Sequence, residues 1–309
     1  MGRWVLSISR AEGGAEPLLI ESREWTDAIL EAWAARLERE SPGAEGQAMA
    51  YALRTPGKRV RPALVIAAYR ACGGASAAIA GVAAAVETVH TYSLVHDDLP
   101  CMDDDDLRRG RPTTHRRFDV PTATRVGFLL VPVAARVLTE ACLGLALTPE
   151  AAGGLAMELF TASGIAGMVG GQWLDLEAEG RALELDELRA VHRRKTGALI
   201  EASCTLGALT AGAAPWQLRA IRDYGRDIGL AFQVADDVLD VTGTSEELGK
   251  TAGKDAAVAK STYVQLLGLA GAQAAATRYA EAAVNSLERS GVPSTALAVL
   301  ARYIVTRRY

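Results

Sequence analysis

The chain is long, apolar and nearly balanced in charge. Its 309 residues are 50% hydrophobic and carry a formal net charge of -4. No linker rich in proline, glycine or serine divides them, so we predict one domain over residues 1–309, and the sequence leaves open whether residues 1–20 are ordered. Such a modest charge gives no global attraction to nucleic acid or to an anionic membrane, so any anion-binding site must be local.

Helical patterns follow one another along the chain, while alternating strand patterns are nearly absent. We therefore predict an all-α bundle of roughly a dozen helices. The predicted helices cover Glu24–Glu40, Gln47–Leu53, an apolar segment after Pro62, Ser76–His96, Thr122–Leu145, Glu150–Leu176, Asp186–Ala211, Trp216–Val241, Asp255–Leu269, Ala270–Arg289 and Ser294–Arg307. Within Glu150–Leu176, the glycines Gly167, Gly170 and Gly171 predict an interruption that allows close helix packing or a bend.

The cysteines and the first residues bear on the cellular compartment. Cys72, Cys101, Cys142 and Cys204 are widely spaced. They form no CxxC pair, which argues against a zinc site and against a disulfide framework. Residues 1–10 contain only a short apolar stretch, too small for a signal peptide or a membrane span. We therefore expect a cytoplasmic protein with reduced thiols and no integral membrane segment.

A basic segment precedes the third predicted helix. The turn Thr55–Gly57 ends one helix, and Lys58, Arg59 and Arg61 follow it directly before Pro62. The N-terminus of a helix carries partial positive charge and free backbone N–H groups. These cations therefore gather where an anion could bind.

Two clusters of aspartates follow apolar runs that are typical of helices. Asp236 and Asp240 are one helical turn apart and share a helix face, whereas Pro100 prevents an ordinary helix from continuing, so Asp103 must reach back from a helix end or loop. One such acidic run is more often a solvated loop, but two of them favour a site. Hard oxygen ligands suit Mg2+ shared with substrate phosphates. The clusters are Asp97, Asp98 and Asp103, and Asp236, Asp237 and Asp240.

Five separated motifs occur in one order and resemble the trans-prenyl diphosphate synthases, most closely the bacterial farnesyl and geranylgeranyl diphosphate synthases. The resemblance implies an all-α fold around a deep central cavity, a homodimer, and Mg2+-dependent head-to-tail condensation of isopentenyl diphosphate with an allylic diphosphate. It also implies up to three Mg2+ ions, for which Mn2+ can substitute. The motifs are GKRVRP (Gly57–Pro62), HTYSLVHDDLPCMD (His90–Asp103), LRRG (Leu107–Gly110), KTG (Lys195–Gly197) and FQVADDVLD (Phe232–Asp240).

The same resemblance implies roles for single residues, with charge stabilisation of the departing diphosphate as the main catalytic effect. The metal ligands would be Asp97, Asp98, Asp103, Asp236 and Asp240, with Asp237 nearby through water. The allylic diphosphate would contact Arg108, Lys195, Lys250 and Lys260, with Thr196 and Gln233 near the reacting end. The isopentenyl diphosphate, which needs cations without metal, would contact Lys58, Arg61, His90 and Arg109.

Product length is expected to depend on the helix that carries the first acidic cluster. Tyr92 lies five positions before Asp97, about one and a half turns deeper, and a bulky ring there would shorten a cavity for the apolar tail. By resemblance, an aromatic residue at this position, together with the two extra residues in the first aspartate-rich motif, His90–Asp103, indicates a farnesyl product. Ser93 and Thr88 leave some room nearby, so a geranylgeranyl product stays open.

One segment departs from the family pattern. Where relatives typically carry Gly-Asp-Ala-Leu-Leu, this chain has GFLLVP over Gly127–Pro132, and Asp119–Pro121 also replaces the usual entry to this helix. Phe128 replaces an acid, and Pro132 removes a helical hydrogen bond. This departure leaves product length, substrate choice and subunit pairing open, while the predicted metal and diphosphate residues are unchanged.

Two other classes of protein share parts of this pattern. A terpene cyclase also uses an aspartate-rich helix and Mg2+, but it needs no second diphosphate pocket, and Lys58, Arg61 and His90 argue for one. The altered Gly127–Pro132 segment is the only feature that favours a non-catalytic regulatory partner of a synthase. We therefore expect a synthase.

Overall fold

The computed structural model describes residues 14–243, 261–293 and 295–307, and its helices confirm the all-α prediction. The helices are α1 (Glu16–Glu40), α2 (Ala44–Leu53), α3 (Val60–Ala71), α4 (Ile79–Asp97), α5 (Thr114–Arg117), α6 (Val120–Gly144), α7 (Pro149–Ser163), α8 (Met168–Glu177), α9 (Leu185–His192), α10 (Ala198–Thr210), α11 (Pro215–Thr242), α12 (Tyr263–Ser290) and α13 (Thr295–Thr306). Within the described ranges, strands are limited to a two-residue antiparallel hairpin, β1 (Leu107–Arg108) with β2 (Arg111–Pro112).

One predicted helix start is wrong. Helix α1 begins at Glu16 rather than Glu24, and Pro17 in its first turn costs no hydrogen bond because the N–H there has no intrahelical partner. The interruption predicted within 150–176 is a full break, because α7 ends at Ser163 and α8 begins at Met168. A Cβ added to Gly167 would lie 2.0 Å from the carbonyl oxygen of Ala162, so the tight return at this break requires glycine.

A π-helical turn interrupts the helix predicted over 186–211. The turn Arg193–Gly197 lies between α9 and α10, and π-turns are frequent at functional sites. Helix α8 approaches it so closely that a Cβ on Gly171 would lie 2.1 Å from the backbone nitrogen of Lys195. From the other side, a Cβ on Gly229 of α11 would lie 2.9 Å from the Cα of the turn's last residue. The turn is therefore held between two helices that approach through glycine.

The core is formed by helices that pack closely through small residues. Helix α4 is buried along most of its length, and a Cβ added to its Gly81 would lie 2.6 Å from the Cβ of Ala141 on α6. Helix α10 packs as closely on α3, because a Cβ on Gly207 would lie 2.2 Å from the carbonyl oxygen of Val65. Leu, Ile and Val side chains fill the space around these contacts, each stabilising the fold by roughly 1.5–3 kcal/mol when fully buried. The packing fixes the end of α4, which carries Asp97.

Two stretches of the described residues, Val120–Gly144 and Pro149–Glu177, are long and apolar enough to span a membrane by length and composition. Half of the first apolar window is buried inside the fold, in contact with α4 and α2. The second stretch is not one helix, because it contains the break between α7 and α8, and 28% of its window is buried. The first stretch therefore serves as a core helix of this fold.

Candidate active site

The first acidic cluster lies where α4 ends. The chain turns back after Pro100, and the backbone N–H of Asp103 donates to the carbonyl oxygen of Asp97 at 2.9 Å. In the same turn, the N–H of Asp105 donates to the carbonyl oxygen of Asp98 at 3.3 Å. The turn thereby returns the Asp103 backbone to the end of α4, next to Asp97.

Burial makes Asp97 a costly anion. Burial raises the pKa of its carboxyl to about 6, and the neighbouring Asp103 carboxylate adds to this, while the Lys195 ammonium opposes it. Lys195 therefore lies close enough to interact with Asp97 across the site. Asp97 is partly exposed at the surface of the site but poorly solvated, and such a carboxylate favours a cation as its partner.

Asp98 is bound by arginine. Burial raises its pKa to about 6 against the opposing effect of Arg108, whose Nε donates to Asp98 Oδ1 at 2.8 Å. A second nitrogen of Arg108 contacts Asp98 as well and donates to Asp105 Oδ2 at 2.9 Å. Arg108 therefore lies between two carboxylates, and the metal role of Asp98 and the diphosphate role of Arg108 stay predictions.

The second cluster divides between two faces of α11. The side chain of Asp236 is 43% exposed, and Asp240 is also partly exposed. Asp237 is buried and accepts hydrogen bonds from the backbone N–H of Tyr263 at 2.8 Å and from Gln233 Nε2 at 3.4 Å. Asp236 and Asp240 therefore point towards the open side of the helix, whereas Asp237 ties α11 to α12.

Lys195 and Thr196 extend from the π-helical turn to two neighbouring helices. Lys195 Nζ donates to Asp175 Oδ2 of α8 at 2.6 Å, and Thr196 Oγ1 donates to Gln233 Oε1 of α11 at 2.6 Å. Sequence reasoning missed Asp175. The available signal was the glycine pair at 170–171, which brings α8 against the turn.

The four residues predicted to hold isopentenyl diphosphate lie together. Arg61 Nη1 is 3.3 Å from His90 Nε2, and Arg109 Nη1 donates to the carbonyl oxygen of Pro56 at 2.7 Å. Burial lowers the pKa of Lys58 to about 8 and that of Arg61 to about 10, and lowers that of His90 well below its usual range. Neighbouring cations contribute to all three shifts. Basic residues that lie close together in a poorly solvated place are stabilised by an anion, so this partly buried arrangement fits a diphosphate.

A buried ion pair positions this basic group. Arg59 has a left-handed backbone conformation with φ 51° and lies directly before α3. Its guanidinium donates to Glu87 of α4 at 2.6 Å and to Asp27 of α1 at 2.7 Å. Because Arg59 lies between Lys58 and Arg61, these contacts hold the start of α3 and both flanking cations in place.

Arg307, which follows α13, is a further site residue that had no assigned role in the sequence analysis. Its side chain is 3% exposed, and Nη2 donates to Asp236 Oδ1 at 2.5 Å. The guanidinium carbon lies 4.0 Å from the ring centroid of Phe232, and its charge acts on Lys58 and Arg61. Arg307 therefore links the second acidic cluster to the basic group. The sequence offered only a C-terminal run of arginines as a signal.

The donor set fits Mg2+ that is shared with a substrate. Among the residues that the structure describes, no three His, Cys, Asp or Glu side chains are grouped closely enough to hold a metal ion alone. Mg2+ usually takes one or two carboxylates and completes its shell with water and phosphate oxygens. The partly exposed pairs Asp97 with Asp103 and Asp236 with Asp240 meet that requirement. Lys250 and Lys260 lie outside the described residues.

A small cavity of about 30 Å³ lies beside the first cluster and is lined by Thr91, Leu94, Asp98, Arg108 and Arg109 among others. A wider groove of about 480 Å³ lies apart from both clusters, between α1, α2 and β2. The deep central cavity that the resemblance implies stays a prediction.

The raised pKa of Asp97 predicts a pH-dependent effect on stability. Because the carboxylate form is disfavoured in the folded state, it destabilises the protein as the pH rises from about 4 through about 6. We expect Asp97→Asn to stabilise the metal-free protein by about 1–3 kcal/mol at pH 7.5 and by much less at pH 4.5. Denaturant unfolding at both pH values measures this difference.

Asp106→Asn is the matched control, because Asp106 is an exposed aspartate of the same loop paired with Arg116. It should change the free energy of unfolding little. An Asp97→Asn protein that is less stable than wild type at pH 7.5 would contradict the assignment of Asp97 as a costly buried anion.

Known proteins share both the sequence and the fold of this chain. The sequence profile of the family described as Polyprenyl synthetase matches residues 45–295. The farnesyl diphosphate synthase of Geobacillus stearothermophilus is 40% identical over 297 residues, which are 96% of this chain and 99% of that protein. The chloroplastic geranylgeranyl pyrophosphate synthase of Capsicum annuum is 44% identical over 257 residues, which are 82% of this chain and 69% of that protein.

A solved structure agrees with these sequence relatives. The geranyltransferase of Helicobacter pylori, complexed with magnesium and isoprenyl diphosphate, superposes with a TM-score of 0.76 at 32% identity. The match covers 92% of this chain and 96% of that one. The resemblance inferred from the five motifs is thereby confirmed, and the chain belongs to the polyprenyl synthetase family.

Proposed function

We propose that this protein is a short-chain prenyltransferase that condenses isopentenyl diphosphate with an allylic diphosphate and yields farnesyl diphosphate. The observation that carries the proposal is the separation of two kinds of charge. Carboxylates suited to Mg2+ lie at the C-terminal end of α4 and within α11, and a partly buried basic group lies near them around the start of α3. The carboxylates fit the metal-bound diphosphate of the allylic substrate, which leaves. The basic group fits the diphosphate of isopentenyl diphosphate, which stays attached to its carbon chain.

The allylic diphosphate would bind on the side of Lys195. When bound, Mg2+ would neutralise the charge that develops on the departing diphosphate. Lys195 adds a fixed positive charge on the same side, and Asp175 orients its ammonium through the 2.6 Å hydrogen bond. As the allylic carbon–oxygen bond breaks, its electron pair leaves with the diphosphate, so this preorganised charge lowers the barrier.

The isopentenyl diphosphate would bind to Lys58, Arg61, His90 and Arg109. Its double bond attacks the allylic cation, a new carbon–carbon bond forms, and loss of one proton restores an allylic product. No described side chain is an obvious base, so the released diphosphate is the proposed acceptor of this proton. The carbon–oxygen bond of isopentenyl diphosphate does not break in this reaction. Cations without metal are therefore sufficient to hold its diphosphate group.

The neighbourhood of Tyr92 supports a farnesyl product over a geranylgeranyl one. Tyr92 is half-buried against the apolar core around α4. Thr88, one turn deeper, is fully buried and donates to the carbonyl oxygen of Ala84 at 2.8 Å, and Ser93 Oγ donates to that of His90 at 2.9 Å. Thr88 is thus closed to solvent, and a longer tail that reached it would have to displace its neighbours.

The direct test is incubation with Mg2+, isopentenyl diphosphate and each allylic diphosphate in turn, followed by chromatography of the dephosphorylated products. We expect wild type to accumulate farnesyl diphosphate. Asp236→Ala should lower kcat by at least about a hundredfold, because it removes a metal ligand. Glu177→Ala is a control at the end of α8. Full activity in Asp236→Ala would remove the metal assignment, and no condensation by folded wild type would refute the function.

A second expectation concerns the length of the product. Tyr92→Ala removes the proposed floor and should shift the main product from farnesyl to geranylgeranyl diphosphate or longer, with condensation still measurable. The same chromatography gives the distribution of chain lengths. An unchanged distribution would show that another residue limits the tail.

We also propose that the protein is a homodimer. Large apolar side chains are exposed along α6, α7 and α8 and in the break between α7 and α8, and burying such side chains against a second copy would stabilise the pair. Leu143 of α6 is 74% exposed. The exposed side chains are Val120, Phe128, Leu129, Leu143, Met157, Ile165, Val169 and Trp173.

Light scattering after gel filtration measures the assembly of the 32.6 kDa chain. We expect the mass of a dimer for wild type, a shift towards monomer for Leu143→Glu, and no shift for Trp216→Glu, which alters an exposed residue of α11. A monomeric wild type would refute the dimer. The cytoplasmic location stays a prediction.

A further inference from the structure

We propose that Phe128, the residue at which this chain departs from the family pattern, limits product length by holding Tyr92 in place through His96. The proposal rests on the proposed function, because it concerns the length of the prenyl tail. It makes Phe128 a positioning residue rather than a catalytic one.

Three aromatic rings form a continuous series from α6 to the proposed floor of the tail site. The rings of Phe128 and His96 meet edge to face, with centroids 5.1 Å apart and an interplanar angle of 80°. The rings of His96 and Tyr92 meet in the same way at 5.4 Å and 78°. Such edge-to-face pairs have a preferred geometry, so each ring restricts the orientation of the next.

Helix α6 holds the middle ring on a second side. His96 Nε2 lies 3.0 Å from the carbonyl oxygen of Thr124, which fits donation from this nitrogen. A Cβ added to Gly127 would lie 1.9 Å from the same nitrogen, so glycine is what lets the imidazole lie against the helix. His96 is thereby fixed by a hydrogen bond and a backbone surface, and Phe128 closes the remaining side.

Burial in the core does not explain Phe128. Its side chain is 66% exposed, whereas a phenylalanine that serves core packing is normally buried. Its ring instead lies over His96, at the position where the family pattern has an acid. A ring at this position can restrict its neighbour by contact, which a short carboxylate cannot do in the same way.

The consequence concerns how far Tyr92 can turn. Tyr92 and His96 are four residues apart on α4 and therefore share one face of the helix. While His96 is held by Phe128, Tyr92 cannot rotate into the space that the imidazole occupies. Loss of the Phe128 ring would leave His96 held only by the Thr124 hydrogen bond and the Gly127 surface. The imidazole could then tilt about that hydrogen bond, Tyr92 could turn further, and the tail site would lengthen.

The test compares substitutions that separate the ring from mere apolar character. Phe128→Leu keeps an apolar side chain for the proposed dimer face but removes the ring, and Phe128→Tyr keeps the ring. Leu129→Ala is the matched control, because it alters the adjacent exposed apolar residue. Product lengths are measured by chromatography with excess isopentenyl diphosphate, together with kcat, the KM of the allylic substrate and the mass by light scattering.

We expect Phe128→Leu to raise the fraction of products longer than farnesyl by at least about threefold, while Phe128→Tyr and Leu129→Ala keep the wild-type distribution. In a Tyr92→Ala background, Phe128→Leu should add no further lengthening, because the residue it positions is gone. Equal lengthening in both backgrounds would overturn the proposal. So would a folded, dimeric Phe128→Leu protein with the wild-type distribution.

The proposed function and the proposed role of Phe128 can be refuted separately. If wild type gives no condensation product with any allylic starter, the proposed function fails and the role of Phe128 fails with it. If wild type makes farnesyl diphosphate and Phe128→Leu does the same, the function stands and the positioning role alone is refuted.

Discussion

The site depends on repulsion between like charges that the fold holds close together. Carboxylates gather at the end of α4 and along one face of α11, and cations gather at the start of α3. Burial raises the pKa of Asp97 and Asp98 and lowers that of Lys58, Arg61 and His90. These opposite shifts have one cause, the cost of charge in a poorly solvated place. Helix packing supplies the stability that offsets this cost, and ligands of opposite charge to each group recover it on binding.

Protein side chains of opposite charge already pair with several of these carboxylates and cations. Arg108 binds Asp98, Arg307 binds Asp236, and Asp175 binds Lys195. A metal ion or a diphosphate that enters must share or displace these partners, so binding exchanges one set of ion pairs for another. Arg307 lies against both charge groups, because it donates to Asp236 and its charge acts on Lys58 and Arg61.

Much of the fold and the clusters of the site could be predicted from the sequence, because both leave local patterns. Helical periodicity predicted the all-α fold, and the acidic and basic motifs predicted which residues would lie together. Asp175 and Arg307 could not be found in this way. Each acts through a partner far along the chain, and a single Asp or Arg in a helix normally reaches solvent. The π-helical turn was also missed. It lies where α8 and α11 approach it at glycines, and such contacts between separate helices leave no local sequence pattern.

The glycines explain why a change on the surface can affect the chemistry inside. At Gly127, α6 approaches α4 so closely that no side chain fits between the helix and the ring of His96. A residue one position further along α6 therefore contacts that ring directly, although its own side chain is largely exposed. Where two helices are separated by ordinary side chains, a substitution on the outer face is absorbed by rotamer changes. Here the missing side chain leaves no such layer, so the identity of residue 128 is transmitted across one ring to Tyr92 and to the end of the space available to the growing chain.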